Sequence, residues 1–276
     1  MGQNASDIDR FDRMKRIPWM DMDRIFDSRC LVVGAGALGN EVVKCMVLAG
    51  FSDITVVDMD RVVNSNLSRC VLFREGDDGS YKSEIIAERA KAISPGADIK
   101  ASTSMIQEID HWDYDIILGC LDNISARLHT NSHSVYYNIP YVDGAMDGMM
   151  GKIHTVLPGR PCLQCAMNRS HARHADLRFS CTDGSHIFIP HTAAEITTVS
   201  IVAAMQVREA EKIISGRTDL CSGEITFYDG IKGTTDTLSL EIDTECPNHT
   251  EDRRDDKNYS CEHGGRGFHT DGARTA

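Results

Sequence analysis

The stretch that decides the fold is Leu31-Val32-Val33-Gly34-Ala35-Gly36-Ala37-Leu38-Gly39. A short apolar run stops at a glycine, and a helix-like segment from Leu38 to Ala49 follows, closed by Gly50. The glycines fit the pattern G-x-G-x-x-G between a strand and a helix. They allow a tight turn and close approach to a phosphate, and the helix N-terminus offers unpaired N–H groups. The next strand, Ile54 to Val57, ends at Asp58, 19 residues after Gly39, where a carboxylate can accept ribose hydroxyls.

Working outward, residues 80–93 have helical propensity and are closed by Ser94-Pro95-Gly96. Ile99 to Thr103 reads as a third strand and Asp115 to Cys120 as a buried one, followed by a helix from Ile124 to Tyr137 and a strand at Tyr141 to Asp143. Strands alternating with helices imply a parallel, doubly wound α/β sheet of Rossmann type. From Lys152 the texture changes. A strand runs to Leu157, then come Pro158-Gly159-Arg160-Pro161, a cysteine-rich loop, a long helix from Ala193 to Ile214, and a β-hairpin made of Glu224–Tyr228 and Thr237–Ile242. Residues 1–28 read as a helical N-terminal arm, 29–250 as the folded unit, and 251–276 as a polar tail expected to be disordered.

The 276 residues are 41% hydrophobic and 25% charged, which excludes global disorder. No apolar run is long enough to span a bilayer, and the polar start lacks a signal peptide's apolar stretch. A cytoplasmic, membrane-free protein is the expectation. The net charge of -12 is the wrong sign for a nucleic-acid wrapper. Of ten cysteines, Cys30, Cys45, Cys70 and Cys120 lie in or beside apolar segments and read as core thiols. The six others, Cys162, Cys165, Cys181, Cys221, Cys246 and Cys261, all fall in the second half, which favours metal or thiol chemistry over disulfides.

The glycine loop alone says only "nucleotide", with NAD as first guess. The residues after the second strand point instead to a triphosphate. Asp58-Met59-Asp60 runs into Asn64-Ser65-Asn66-Leu67-Ser68-Arg69, and Lys82 comes next. Three linked phosphates carry about four negative charges and need cations plus Mg²⁺. Arg69 and Lys82 can supply the cations, and Asp122, just past the strand ending at Cys120, is placed to hold the metal ion.

These pieces resemble the E1-like family of ATP-dependent activating enzymes, which includes the ThiF, MoeB and HesA proteins and the adenylation subunits of ubiquitin-type E1s. The match rests on Gly34-x-Gly36-x-x-Gly39, Asp58-x-Asp60, Asn66-Leu67-x-Arg69, Lys82, Leu121-Asp122-Asn123 with Arg127, and Cys162-x-x-Cys165, and covers roughly residues 10–250. The resemblance implies that Asp58 binds ribose, that Asn66, Arg69 and Lys82 hold the triphosphate, and that Asp122 acts through Mg²⁺. Arg10-Phe11-Asp12-Arg13 is similar to the family's arm, whose second arginine reaches ATP bound by the partner subunit. Arg13 would play that part, which implies a homodimer. Cys70 departs from the glutamine that many members have there, and the arm diverges after Arg13.

The implied reaction is adenylation of the C-terminal glycine of a ubiquitin-like or sulfur-carrier protein ending in Gly-Gly, with an E2-like protein as a further partner. Gly144, Gly148 and Gly151 are candidates to line a groove for the incoming tail. Cys181, with Arg178, His186 and His191 nearby, is the candidate acceptor for a thioester. Cys162-Leu163-Gln164-Cys165 is half of a zinc knuckle, and Cys246-Pro247-Asn248-His249 stands where the family has the other half. A closed Cys₃His set implies structural zinc, with Cys261 and His263 as rival fourth ligands. Cys221 lacks a motif, and His171-Ala172-Arg173-His174 reads as a solvated loop. Three alternatives stay open: a tRNA-base dehydratase of the same fold, a non-catalytic E1 partner subunit, and an NAD-dependent oxidoreductase. Such partner subunits typically lose nucleotide residues, whereas Arg69, Lys82 and Asp122 are all present.

Overall fold

In the computed structural model, which describes residues 9–167 and 193–250, all the strands belong to one eight-stranded sheet. In chain order they are β1 (Arg29–Val33), β2 (Asp53–Val57), β3 (Asp98–Ser102), β4 (Ile116–Gly119), β5 (Tyr141–Asp147), β6 (Met150–Val156), β7 (Ile225–Asp229) and β8 (Thr234–Leu238). Across the sheet the order is β3-β2-β1-β4-β5-β6-β7-β8. The first five in that order run parallel, and β6, β7 and β8 continue antiparallel. The helices are α1 (Asp12–Lys15), α2 (Met22–Asp27), α3 (Ala37–Ala49), α4 (Lys82–Ile93), α5 (Ile124–Tyr137) and α6 (Ile196–Ile214).

The period-two alternation of β1 divides the core. Cys30 and Val32 enter one apolar cluster with α3, α4 and α6, while Leu31 and Val33 enter a second with Trp112, Tyr141, Leu163 and Cys246. With both faces covered, β1 and β4 read as unbroken apolar runs rather than alternating ones. Helix ends follow local chemistry. Gly50 closes α3 and Asn138 closes α5, both in the left-handed region, Asn123 caps α5 through Ala126 N–H, and Glu195 caps α6.

The doubly wound sheet is as expected, with most boundaries shifted by a residue or two; β5 runs on to Asp147 rather than Asp143, and the long helix starts at Ile196 rather than Ala193. The C-terminal hairpin differs in two ways. It is not an appendage, because β7 pairs with β6 and extends the main sheet. Its second strand is Thr234–Leu238, three residues earlier than the expected Thr237–Ile242. Asp229 accepts the N–H groups of Ile231 and Lys232, and Gly233 takes φ +69°, so the turn is tight and pairing resumes at once. The strand escapes notice because every residue in it is exposed, leaving no apolar alternation. The arm is two short helices, with Pro18 in the break between them. Among the described residues no helix is long and apolar enough to cross a membrane.

Candidate active site and metal centre

The strand order reverses between β1 and β4, and the carboxyl ends of those strands form the crevice where such sheets bind ligands. Gly34 sits there with φ +100°, and a Cβ on it would lie 2.5 Å from the Cys120 carbonyl oxygen. A Cβ on Gly39 would collide with the Gly34 carbonyl. The protein itself therefore demands both glycines. Gly36 is different, because among the described residues a Cβ there would meet nothing within 4 Å. Its side faces open space at the N-terminus of α3, where a ligand would gain the close approach.

The loop is tied on both sides. Asp58 accepts the Ala35 N–H (2.6 Å) and the Asp60 N–H (2.7 Å). Burial pushes the Asp58 carboxyl above its usual value, against the pull of those two N–H groups. The Asn40 amide donates to the carbonyls of Ala35 (3.1 Å) and Gly36 (3.0 Å), while its oxygen accepts Leu72 N–H. Asp60 in turn pairs with Lys82 at 2.8 Å. Gly34, Gly36, Gly39, Asp58, Asp60 and Lys82 are thus brought together.

Asn66 and Arg69 lie in and beside the adjoining one-turn helix, Asn64–Ser68. Asn66 accepts Val63 N–H, and the Arg69 guanidinium donates to the Ser65 carbonyl at 2.7 Å, so both side chains brace their own turn. Bonds between Val62 and Ser80 and between Gly79 and Val62 tie that turn to the start of α4. Asp122 is exposed just beyond β4, next to the N-cap of α5. Arg13 stands on α1, elsewhere. Arg10 donates to the Ile93 carbonyl at the end of α4, and Phe11 stacks edge-on against Phe26 beside Gly50 at the end of α3. The arm is therefore anchored at the ends of α3 and α4 opposite the glycine loop and Lys82.

The structure adds a network that the sequence does not announce. Asp143, fully buried on β5, accepts Arg127 Nε (3.0 Å) and Nη2 and the Tyr141 hydroxyl (2.7 Å). Burial opposes the Arg127 charge, but Asp143 outweighs it and the guanidinium stays protonated. His154 stands directly across from Asp143 and is wholly buried, and among the described residues neither ring nitrogen has a partner; burial lowers its pKa to about 4. The only sequence signal is a lone acid inside an apolar strand, which demands a cation nearby.

The proposed tail-groove glycines are accounted for otherwise. A Cβ on Gly144 would strike Gln206 and one on Gly151 would strike Val202, both on α6, so these two glycines let the helix pack on the sheet. Gly148, at φ +60°, makes the β5–β6 turn.

Cys162, Cys165, Cys246 and His249 converge, with their ligand atoms all within 4.8 Å of one another. The Cys162 sulfur is 3.9 Å from that of Cys165 and 3.7 Å from that of Cys246, and the Cys165 sulfur is 3.5 Å from His249 Nδ1. Zinc–sulfur bonds of about 2.3 Å put tetrahedral sulfurs about 3.8 Å apart, with a sulfur–nitrogen edge of about 3.5 Å. The donor set fits a tetrahedral ion. His249 Nε2 lies 3.2 Å from the Arg160 carbonyl, the partner that would keep the proton there and leave Nδ1 free to ligate. The Cys162 thiol is lowered to about 4, chiefly by a hydrogen bond from Cys246. The other described thiols outside this set are raised by burial: Cys70 to about 11, Cys30 and Cys221 to about 12, Cys45 and Cys120 also upward. None of them is an activated nucleophile. Cys181, the His171–His174 stretch, and Cys261 and His263 in the tail lie outside the described residues.

The ThiF family model matches residues 10–248. The chain belongs to the ThiF family. Within it, the chain is 26% identical over 251 residues to the SAMP-activating enzyme E1 of Haloferax volcanii, covering 88% of this chain and 89% of that one. It is 27% identical over 261 residues to the sulfur carrier protein adenylyltransferase of Thermus thermophilus, covering 90% and 92%. Among solved structures, E. coli MccB with ATP superposes with a TM-score of 0.72 at 18% identity, covering 88% of this chain and 74% of that one, and shares the fold.

Proposed function

We propose that this ThiF-family chain is an ATP-dependent adenylyltransferase that activates the C-terminal carboxylate of a ubiquitin-like or sulfur-carrier protein. The observation that carries the reading is Gly36, a glycine that no neighbour among the described residues requires, at the helix N-terminus beside Asp58, Asp60 and Lys82. The names of the relatives, an E1 and a sulfur-carrier adenylyltransferase, support the choice of reaction.

In this reading the ATP phosphates lie on the Gly34–Gly39 loop and the N–H groups of α3, Asp58 takes the ribose, and Lys82, Arg69 and Asn66 neutralise and orient the triphosphate. Lys82 would exchange Asp60 for phosphate, and Asp122 would hold a Mg²⁺, which would supply screening of the developing charge. The carboxylate attacks the α-phosphorus and pyrophosphate leaves. The chain contributes position and charge rather than a covalent step. The Cys181 thiolate then attacks the acyl-adenylate and expels AMP, leaving a thioester for an E2-like protein. Zinc on Cys162, Cys165, Cys246 and His249 is structural, since four protein ligands leave no open position. An arm anchored away from its own Lys82 suits an Arg13 that serves the neighbouring copy of a homodimer. We place the protein in the cytoplasm, where its thiols stay reduced.

The test is ATP–pyrophosphate exchange with a panel of small ubiquitin-fold proteins ending in Gly-Gly. Exchange that depends on one of them is expected, and Lys82→Ala or Asp122→Ala should abolish it. Cys181→Ala should keep exchange and lose the thiol-sensitive conjugate. No exchange with any panel member overturns the reading.

A further inference from the structure

Gly151 faces Val202 of α6, so by alternation Lys152 and His154 point to the other side of β6, shared with Asp143 and Arg127. Lys152 is half-buried, and among the described residues it has no carboxylate within 4 Å. The acid whose charge acts on it, Asp143, has both oxygens occupied by Arg127 and Tyr141. Next to Lys152 there is thus a neutralised ion pair and a neutral imidazole, and the ammonium is left as a local excess of positive charge. Burial and the Arg127 charge both press its pKa downward. A half-desolvated ammonium without a counter-charge is costly unless an anion arrives to complete it.

Its place in the sheet says where that anion lies. Gly119 at the end of β4 pairs with Asp143, which pairs with His154, and Lys152 is the next position outward on that face of β6, opposite Ala145 and Phe227. Strands are about 4.8 Å apart, so β6 lies about 10 Å from β4, and a lysine side chain spans more than half of that gap. From that position the side chain is long enough to approach the crevice, on the face of the sheet away from α3 and α6.

We propose that Lys152 is a substrate-binding residue whose ammonium holds one oxygen of the carrier tail's C-terminal carboxylate, beside Asp122 and facing the α-phosphorus. The assignment rests on the adenylation reading. The free oxygen attacks, the new O–P bond forms as the α–β bridging O–P bond breaks, and pyrophosphate leaves with the electron pair. Lys152 keeps its proton throughout. It offsets the repulsion between an anionic tail and an anionic triphosphate, a repulsion that Arg69 and Lys82, on the far side, do not relieve.

Three full-length chains, unaltered, Lys152→Gln and Lys152→Arg, are compared in ATP–pyrophosphate exchange with the Gly-Gly protein that supports the unaltered chain. Lys152→Gln should raise the KM for that protein about 10- to 100-fold, the range of one charge-assisted hydrogen bond, and leave the KM for ATP unchanged. Lys152→Arg should recover most of the loss. The same protein with its C-terminus amidated should bind the unaltered chain at least about 10-fold more weakly than the free acid, and Lys152→Gln should not tell them apart. An unchanged carrier KM in Lys152→Gln, or an undiminished preference for the free acid, overturns the assignment alone. Should Lys152→Gln lose its ATP-dependent rise in Tm, it has misfolded. The amide comparison on the unaltered chain then decides, and equal affinities overturn the proposal. Absence of carrier-dependent exchange by the unaltered chain overturns the adenylation reading together with it.

Discussion

The two halves of the sheet are built on different principles. In the parallel half, β3-β2-β1-β4-β5, the site is made by backbone: glycines at contact distance, N–H groups at a helix end, a carboxylate one strand away. At the β5–β6 seam, where the sheet turns antiparallel, and in the segments flanking β6-β7-β8, position is set by side chains from separate elements. Cys162 meets Cys246 across 84 residues, and Arg127 meets Asp143 from a helix. A backbone site resists substitution at single points, whereas a side-chain site depends on partners arriving together.

The largest effect is expected where backbone tolerance is least. Gly34→Ala places a Cβ against the Cys120 carbonyl at φ +100° and should cost about 4 kcal/mol in urea unfolding, combining left-handed strain with overpacking. A near-silent Gly34→Ala would mean that the loop is not rigid. Next is Asp143→Asn, which leaves Arg127 buried without its counter-charge and should cost about 3 kcal/mol. Little loss there would show that the β5–β6 seam tolerates broken partnerships.

Metal removal should rank third. Chelation, or Cys246→Ser, should lower Tm by several degrees, about 2 kcal/mol for a domain of this size, and release zinc measurable by a colorimetric chelator. A chain that purifies without metal and melts unchanged would remove zinc from the account. Smaller still is a pH effect. On α5, His133 stacks on Trp112 and His129 lies tilted against both rings, and burial lowers both imidazoles, His129 to about 3. Unfolded histidines protonate near pH 6.5, while these stay neutral in the fold. Their contribution is complete above about pH 6.5 and is lost as pH falls toward the folded values, at up to about 1.4 kcal/mol per pH unit for each. His129→Gln should flatten the slope, and an unaltered slope would place the acid sensitivity elsewhere. Least of all, Gly36→Ala should leave stability within about 1 kcal/mol while weakening ATP binding. Unchanged ATP affinity would return Gly36 to the status of an ordinary turn residue.

Legibility obeys the same division. The glycine loop, Asp58, Lys82 and the central strands are readable because each depends on a short stretch with its own periodicity. The Cys-x-x-Cys and Cys-x-x-His pairs are legible as halves, and only the fold can join them. Asn40, Asp143 and His154 are not, because each is a buried polar residue whose partners, or lack of them, are fixed by topology rather than by its sequence neighbours. Gly144 and Gly151 read as a groove in sequence for the same reason: nothing local shows that a helix 50 residues later will press on them. The thioester role proposed for Cys181 rests on sequence alone.

Gln206 carries a final implication. From α6 its amide donates to the carbonyls of Gly119 and Val142, on neighbouring strands, while its oxygen presses on the bare face of Gly144. Positions 144 and 206 are therefore bound to a common fate: a lineage that gained a side chain at the first would have to shorten the second in step and give up the rivet that keeps β4 and β5 flush.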